Sequence, residues 1–312
     1  MKKISPLVSI LMPAYNHEKY ISQAIESVLA QKTNYPYELL IHDDCSTDST
    51  LTIAQNYATK FPDKIKLFTE KENQGLMKSY KRLIEQSKGK YLAILESDDY
   101  WLDKNNLQIQ IDFLENNPDY GIVAGDIITI DDEGNEIKKG GFNNDKASTD
   151  FWYTKLLGLS GFEGACAIIF RRDLFNTYCN INDYIDLGFK TFDHPTWLSI
   201  SYHSKCKVIP KILAAYRHTS TSLSNNTLFE KHIDFILNII GEKYIIEKYG
   251  LNGITQDEYN NRIAFMIIGK ALKFHKIDLF CEYAKKLKPI SIKQKFMRYF
   301  PHLYYWQFII RH

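Results

Sequence analysis

Tyr91-Leu92-Ala93-Ile94-Leu95-Glu96-Ser97-Asp98-Asp99 is the stretch on which the fold turns. Five apolar residues follow the helix breaker Gly89 and stop at three carboxylates within four positions. The run has the length of a strand, and its unbroken apolar character calls for cover on both faces, as in a parallel sheet. Working backwards, residues 7–12 read as a first buried strand stopped by Pro13, 37–42 as a second and 64–69 as a third. Working forwards, 120–126 read as a fifth. Between them lie helical patterns. Residues 17–31 carry Tyr20, Ile21, Ala24, Ile25, Val28 and Leu29 on one face, and further helices are expected to about 59 and over 76–87 and 103–116. Strands alternating with helices of this length specify βαβ units: an α/β fold with a mostly parallel sheet flanked by helices.

Ligands of such sheets sit beyond the carboxyl ends of the strands. Polar clusters fall there after residues 12, 42 and 95. Pro13-Ala14-Tyr15-Asn16 offers an aromatic ring that could stack on a flat base, with the small Ala14 permitting close approach; a structural tyrosine is the alternative. Asp43-Asp44-Cys45-Ser46-Thr47-Asp48 offers a carboxylate for a nucleobase imide or a ribose hydroxyl, while Ser46 or Asp48 serves as a helix cap. Glu96, Asp98 and Asp99 would repel one another unless a cation neutralised them, and hard divalent ions such as Mg²⁺ or Mn²⁺ take oxygen ligands. A solvated acidic turn is the other reading. Farther on, Phe192-Asp193-His194-Pro195-Thr196-Trp197 opens an apolar helical stretch in which Asp193 is either an N-cap or a functional acid. Tyr216-Arg217-His218 follows.

In order and spacing these segments, with Asn73-Gln74-Gly75, resemble the successive motifs of family 2 glycosyltransferases of the GT-A fold, over about residues 5–220. The resemblance implies an inverting, metal-dependent hexosyl- or N-acetylhexosaminyl-transferase of the kind that builds bacterial surface polysaccharides. Its donor would be a nucleotide sugar, UDP- or dTDP-linked, and its acceptor a hydroxyl of a glycan or lipid-linked sugar. Pro13, Ala14, Tyr15, Asn16, Asp44, Asn73, Gly75, Glu96, Ser97 and Asp98 would then line the donor site, Tyr15 stacking on the base and Asp44 bonding to it. Asp98, Asp99 and His218 would hold Mn²⁺ or Mg²⁺. Asp193 matches the catalytic-base position, and Gly164, Ala165 and Trp197 lie where the family meets its acceptor. Two departures stand out: Glu96 replaces the usual first Asp of an Asp-x-Asp element, and Phe192 replaces the Glu that often precedes the base.

Composition narrows the alternatives. Lys+Arg of 39 against Asp+Glu of 37 in 312 residues gives a net charge of +2, which favours neither nucleic acid nor disorder. Five scattered cysteines without CxxC spacing suggest reduced thiols rather than disulfides or zinc. No apolar run has the length of a leader or a membrane span, so a cytoplasmic location is expected. A GxxxxGK[ST] phosphate loop is absent, and the loop after the first strand has no glycine, unlike that of a nucleotidyltransferase. A carbohydrate- or lipid-binding scaffold is the competing non-enzymatic reading. The division expected is a catalytic domain over 1–224 and a helical extension over 225–312. Residues 130–150 read as a turn and loop. Basic and aromatic residues interleave over 283–312, which fits either a helix packed on its own domain or a peripheral contact with the inner face of the membrane. Pro289 and Pro301 limit that tail to short helices.

Overall fold

The structure, a computed structural model, describes residues 5–140, 152–158, 164–219, 240–289 and 291–311. The expected boundary at 224/225 and residues 141–150 of the loop expected over 130–150 lie outside these residues; within 130–140 a short strand at Glu136–Lys139 replaces part of that loop. Contacts group the chain into two units, Met1–Trp152 with Phe162–Thr219, and Tyr153–Gly161 with Ser220–His312.

The first unit is built on β1 (Val8–Ala14), β2 (Tyr37–Asp43), β3 (Ile65–Thr69), β4 (Tyr91–Ile94), β5 (Tyr100–Trp101), β6 (Tyr120–Ile130), β7 (Glu136–Lys139), β8 (Ile168–Arg171) and β9 (Lys205–Arg217). They form one sheet in the order β3-β2-β1-β4-β8-β6-β9-β5, with β7 beside β6. Pairing is parallel from β3 through β4 and between β6 and β9, where βαβ crossovers connect the strands; β8 enters antiparallel between β4 and β6. The result is an α/β sheet whose parallel half carries the rim clusters. Helices α1 (Ile21–Leu29), α2 (Thr50–Lys60), α3 (Leu76–Gln86) and α4 (Asn106–Asn116) are the crossovers. Ile10, Met12, Ile21, Ile25, Leu39, Ile41, Leu107 and Ile111 form the core between sheet and helices.

Pro13 does not stop β1. Leu95 and Ser97 donate their amides to the carbonyls of Leu11 and Pro13, so the odd-numbered residues face β4. The N–H that proline lacks falls on that side, where the ladder ends at Ile94, while pairing with β2 continues to Ala14 opposite Asp43. A proline is tolerated where a ladder stops. Strand β6 runs four residues past the expected end, and the two-residue β5 and the long β9 were not foreseen. Strand β9 contains Pro210, and its register against β6 shifts near Gly125 and Asp126, so no simple alternation marks it.

In the second unit α5 (Tyr153–Leu156) is tied to helical segments remote in sequence. The Tyr153 hydroxyl donates to the Gly250 carbonyl at 2.6 Å, and Arg262 donates to the carbonyls of Thr154 and Leu157. After α6 (Arg172–Tyr178), α7 (Ile181–Asp186) and α8 (Asp193–His203) of the first unit come α9 (Ile240–Tyr249), α10 (Gln256–Lys273), α11 (Ile277–Lys286), α12 (Ile292–Tyr299) and α13 (Pro301–Arg311). Helices α10 and α12 start with reciprocal capping boxes, Thr255 with Glu258 and Ser291 with Gln294. Pro301 opens α13, where its missing N–H costs nothing. Ile268, Phe280, Ala284, Leu287, Met297 and Tyr305 make a separate apolar cluster.

Candidate active site

The loops leaving β1 and β2 are stitched together before any ligand is considered. Asn16 adopts a left-handed backbone (φ 55°), its amide donating to Ser46 Oγ at 3.0 Å and its side-chain oxygen accepting from Thr47 N at 2.8 Å. Its described bonds are therefore to the neighbouring rim loop rather than outward. The N-cap of α2 is Ser49 rather than Ser46 or Asp48; Asp48, one residue earlier, accepts from Thr50 N at 2.9 Å, and Ser46 serves Asn16. Tyr15 stands 43% exposed at the strand exit, as a stacking platform requires. The Asp44 carboxylate accepts the amides of Gln74 (2.8 Å) and Gly75 (2.7 Å), and its carbonyl accepts Asn73 Nδ2 (3.2 Å). Asp44, Asn73 and Gly75 thus converge, with Gly75 at φ +88°, a backbone that suits glycine. Asp44's visible task is to hold the start of α3. The neighbouring Asp43 is fully buried and keeps Oδ1 without a hydrogen bond while Oδ2 accepts from Ser46 N.

Beyond β4 the acidic cluster is built as a unit. Ligand oxygens of Glu96, Asp98 and Asp99 lie within 4.8 Å of one another. Glu96 accepts from the Tyr80 hydroxyl at 2.9 Å, and Asp99 from the Arg217 amide at 2.7 Å. Ser97 Oγ pairs with His17 Nδ1 at 2.7 Å, and His17 Nε2 is 3.9 Å from Asp98. Burial pushes the Glu96 carboxyl up to about 7 and Asp98 to about 6. Asp99 is raised well above the usual range by burial and then by the charges of Asp98 and Glu96. Asp98 Oδ1 is buried without a hydrogen-bond donor. An all-oxygen cluster whose charges repel and whose buried Asp98 Oδ1 has no donor fits a hard divalent cation. His218 stands outside this group; its amide closes on the Ile130 carbonyl at 2.8 Å.

Arg217 underpins the cluster. Its Nε donates to the Asp98 carbonyl (2.9 Å), Nη1 to those of Asp131 and Asp132, and Nη2 to Gln23 Oε1 (3.0 Å), with Tyr20 beneath the guanidinium. The loop after β6 and the end of β9 are thereby joined to the acidic turn. Neither this role nor those of His17 and Tyr80 was singled out from the sequence, because each depends on pairing between distant segments.

Asp193 is the first residue of α8, with Oδ1 accepting from His194 N at 2.8 Å. Its charge adds to those that raise Glu96 and Tyr80, which places it in the neighbourhood of the acidic cluster. Phe192 stacks on Tyr80 with ring centroids 4.3 Å apart, which fixes the approach of α8. Trp197, expected at the acceptor, is instead fully buried and edge-on to Phe170 at 5.2 Å. One helical turn beyond Asp193 puts it on the core face of α8. Gly164, at φ +71°, leads into a 3₁₀ turn over Ala165–Ala167; a Cβ there would meet Ile127 Cδ1 at 2.7 Å. Both Gly164 and Ala165 are half-buried, and the Cys166 thiol, raised by burial and then by the Asp99 charge, backs the cluster.

This geometry, carboxylates at the end of β4 beside the stitched loops that leave β1 and β2, is that of a GT-A fold. Residues 9–178 match the family model for glycosyl transferase family 2. The chain is 30% identical over 263 residues to the UDP-Glc:alpha-D-GlcNAc-diphosphoundecaprenol beta-1,3-glucosyltransferase WfgD of Escherichia coli, covering 81% of this chain and 96% of that one. Its fold is similar to S. aureus TarS 1-349 in complex with UDP-GlcNAc (TM-score 0.61, 17% identity, 97% of this chain and 88% of that one). It is also similar to the mannosyltransferase PcManGT from Pyrobaculum calidifontis in complex with GDP-Man and Mn²⁺ (TM-score 0.54, 16% identity, 98% and 86%). The chain belongs to glycosyl transferase family 2. It spans 37% of the length of the first curated relatives that it matches.

Proposed function

We propose that the protein transfers a hexosyl or N-acetylhexosaminyl group, with inversion, from a UDP- or dTDP-sugar to a hydroxyl of a glycan or lipid-linked acceptor in surface-polysaccharide synthesis. The observation that carries this reading is the cluster of Glu96, Asp98 and Asp99 at the end of β4, with Asp193 beside Phe192, which stacks on the Tyr80 that bonds Glu96. The name of the E. coli relative, a glucosyltransferase using UDP-Glc and a diphosphoundecaprenol-linked acceptor, supports the donor and acceptor classes.

Tyr15 presents its ring to the base, and Asp43, with one unbonded buried oxygen, joins Asp44 as an acceptor for the base or ribose. Asp98 and Asp99 would hold Mn²⁺ or Mg²⁺, which supplies charge neutralisation for the departing diphosphate. Glu96 is braced by Tyr80 and completes the negative wall. His218 lies outside that cluster, and its proposed part is contact with the diphosphate. Asp193 accepts the acceptor's hydroxyl proton as that oxygen forms its bond to the anomeric carbon. The bond from that carbon to the phosphate oxygen breaks with its electron pair, and the nucleoside diphosphate leaves from the opposite face. A single in-line displacement inverts the anomeric centre. Gly164 and Ala165 would line the acceptor side.

Release of nucleoside diphosphate from a panel of UDP-, dTDP- and GDP-sugars, with Mn²⁺ or with EDTA, tests the proposal. Turnover that needs the cation and is lost in Asp193→Asn supports it. A folded protein inert towards every donor would favour the binding-scaffold alternative.

A further inference from the structure

Helices α12 and α13 carry a surface that the donor site does not use. Ten large apolar side chains are exposed among the described residues, and five of them fall in this short segment: Ile292, Tyr299, Phe300, Leu303 and Trp306. Ile292 and Tyr299 are seven residues apart, two turns along one face of α12, and Leu303 and Trp306 share a face of α13. The opposite faces are anchored, Met297 and Tyr305 packing with Phe280 in the unit's own core. The exposed set is therefore held outward by folded helices. Exposed apolar side chains gathered on two contacting helices mark a binding face.

Charge says what covers it. From Tyr283 to His312 the chain has seven Lys and Arg and no Asp or Glu. Lys286 and Lys288 are neutralised by Glu282 and Asp257, but the exposed Lys293 and Lys295 have no carboxylate partner among the described residues. A symmetric contact with a second copy would set this basic face against itself. A nucleic acid would leave Ile292 and Leu303 without a role. Aromatic rings and aliphatic side chains interspersed with lysines match the headgroup boundary of an anionic bilayer, where rings sit at the interface and ammonium groups meet phosphates.

We propose that the α12–α13 face docks the protein peripherally on anionic lipid, with the Tyr299, Phe300 and Trp306 rings entering the interface and Lys293 and Lys295 pairing with lipid phosphates. No helix among the described residues is long and apolar enough to cross a membrane, so the contact is with one leaflet. The inference stands apart from the transferase reading, and its test involves no sugar.

The full chain supplies its own probe. Trp306 is 54% exposed, while the other three tryptophans, Trp101, Trp152 and Trp197, are 5% exposed or less. Intrinsic fluorescence and co-sedimentation would be followed with vesicles of phosphatidylcholine alone and with a third phosphatidylglycerol. The expected result is sedimentation with the anionic vesicles, a blue shift of emission, and quenching by brominated lipid. Lys293→Glu with Lys295→Glu should lower partitioning roughly tenfold or more, as should high salt. Trp306→Phe should still sediment but lose the shift, with unchanged circular dichroism showing that each variant is folded. Failure to sediment, equal binding to neutral vesicles, or sedimentation without quenching of Trp306 would overturn the proposal. So would a concentration-dependent blue shift without lipid, which would assign the face to a second copy.

Discussion

Asp193 and Arg217 bear the sharpest tests because each performs one physical task. If Asp193 takes the acceptor proton, Asp193→Asn should lower kcat by about 10²–10⁴-fold while UDP affinity stays within error, as read by steady-state kinetics and calorimetry on the same preparation. Activity within a few-fold of the parent would remove it from that role. Arg217 is 3% exposed and satisfies carbonyls of three residues in the acidic turn and the β6 loop. Arg217→Ala leaves the buried Asp98 carbonyl and the part-buried carbonyls of Asp131 and Asp132 without their donor and should cost about 1–3 kcal/mol in denaturant titrations. Lysine, a point charge without the planar fork, should recover little. Asp98 and Asp99 stood out in the sequence because carboxylates clustered at a strand end have few structural excuses, whereas Asp193, at a helix start, stood out only through the family resemblance. It could not show that Tyr80 bonds Glu96 or that Arg217 spans to Asp98, since those pairings join segments 16 and 119 residues apart. Trp197 was misplaced for a related reason: helical spacing puts a side chain on a face, and only packing decides which face is core.

Gly89 shows the same limit among the elements. It reads as a helix breaker, yet α3 already ends at Gln86. The constraint is close approach: a Cβ on Gly89 would lie 2.5 Å from the Ser9 amide and 2.7 Å from the Val8 carbonyl carbon, both main chain. Ser9 Oγ also accepts the Gly89 amide at 2.8 Å. Gly89→Ala should therefore destabilise by about 1–3 kcal/mol or more, visible as a lower denaturation midpoint at unchanged slope; a neutral result would mean that β1 and β4 can part more readily than their register suggests. Strand β4 was legible because a buried, unbroken apolar run has one simple explanation; β1, β2 and β3, which carry polar residues, were legible from their alternation with helical patterns. Strands β5 and β9 were not, since one is two residues long and the other is interrupted by Pro210 where its register shifts.

For the whole molecule, the acidic cluster should couple stability to pH, and a bound cation would change that coupling. Glu96 and Asp98 keep protons in the folded chain up to about pH 7 and 6, against ordinary values of 4.5 and 3.8. Across that window the folded state binds more protons than the unfolded state, so in EDTA stability should fall as pH rises, by up to about 1.4 kcal/mol per pH unit per group. A divalent cation binds the deprotonated carboxylates and should flatten or reverse that slope. Thermal unfolding from about pH 5 to about pH 8, with EDTA or Mn²⁺, checks the sign, and a rising profile in EDTA would contradict the assignment. The helical second unit was foreseen from composition, but the docking of 153–158 into it was not. Its bonds through Tyr153 and Arg262 cross about a hundred residues of sequence.

If Asp98 and its neighbours form a cation-dependent donor site, nucleotide binding must depend on both the cation and Asp98. UDP and dTDP would be titrated by calorimetry or thermal shift, with Mn²⁺ and with EDTA, against the parent and Asp98→Asn. At a hundred times its Kd a ligand contributes about 2.7 kcal/mol. The account predicts a raised midpoint with one of these nucleotides in Mn²⁺ that largely disappears in EDTA and in the variant. A shift of equal size in all three conditions would contradict it.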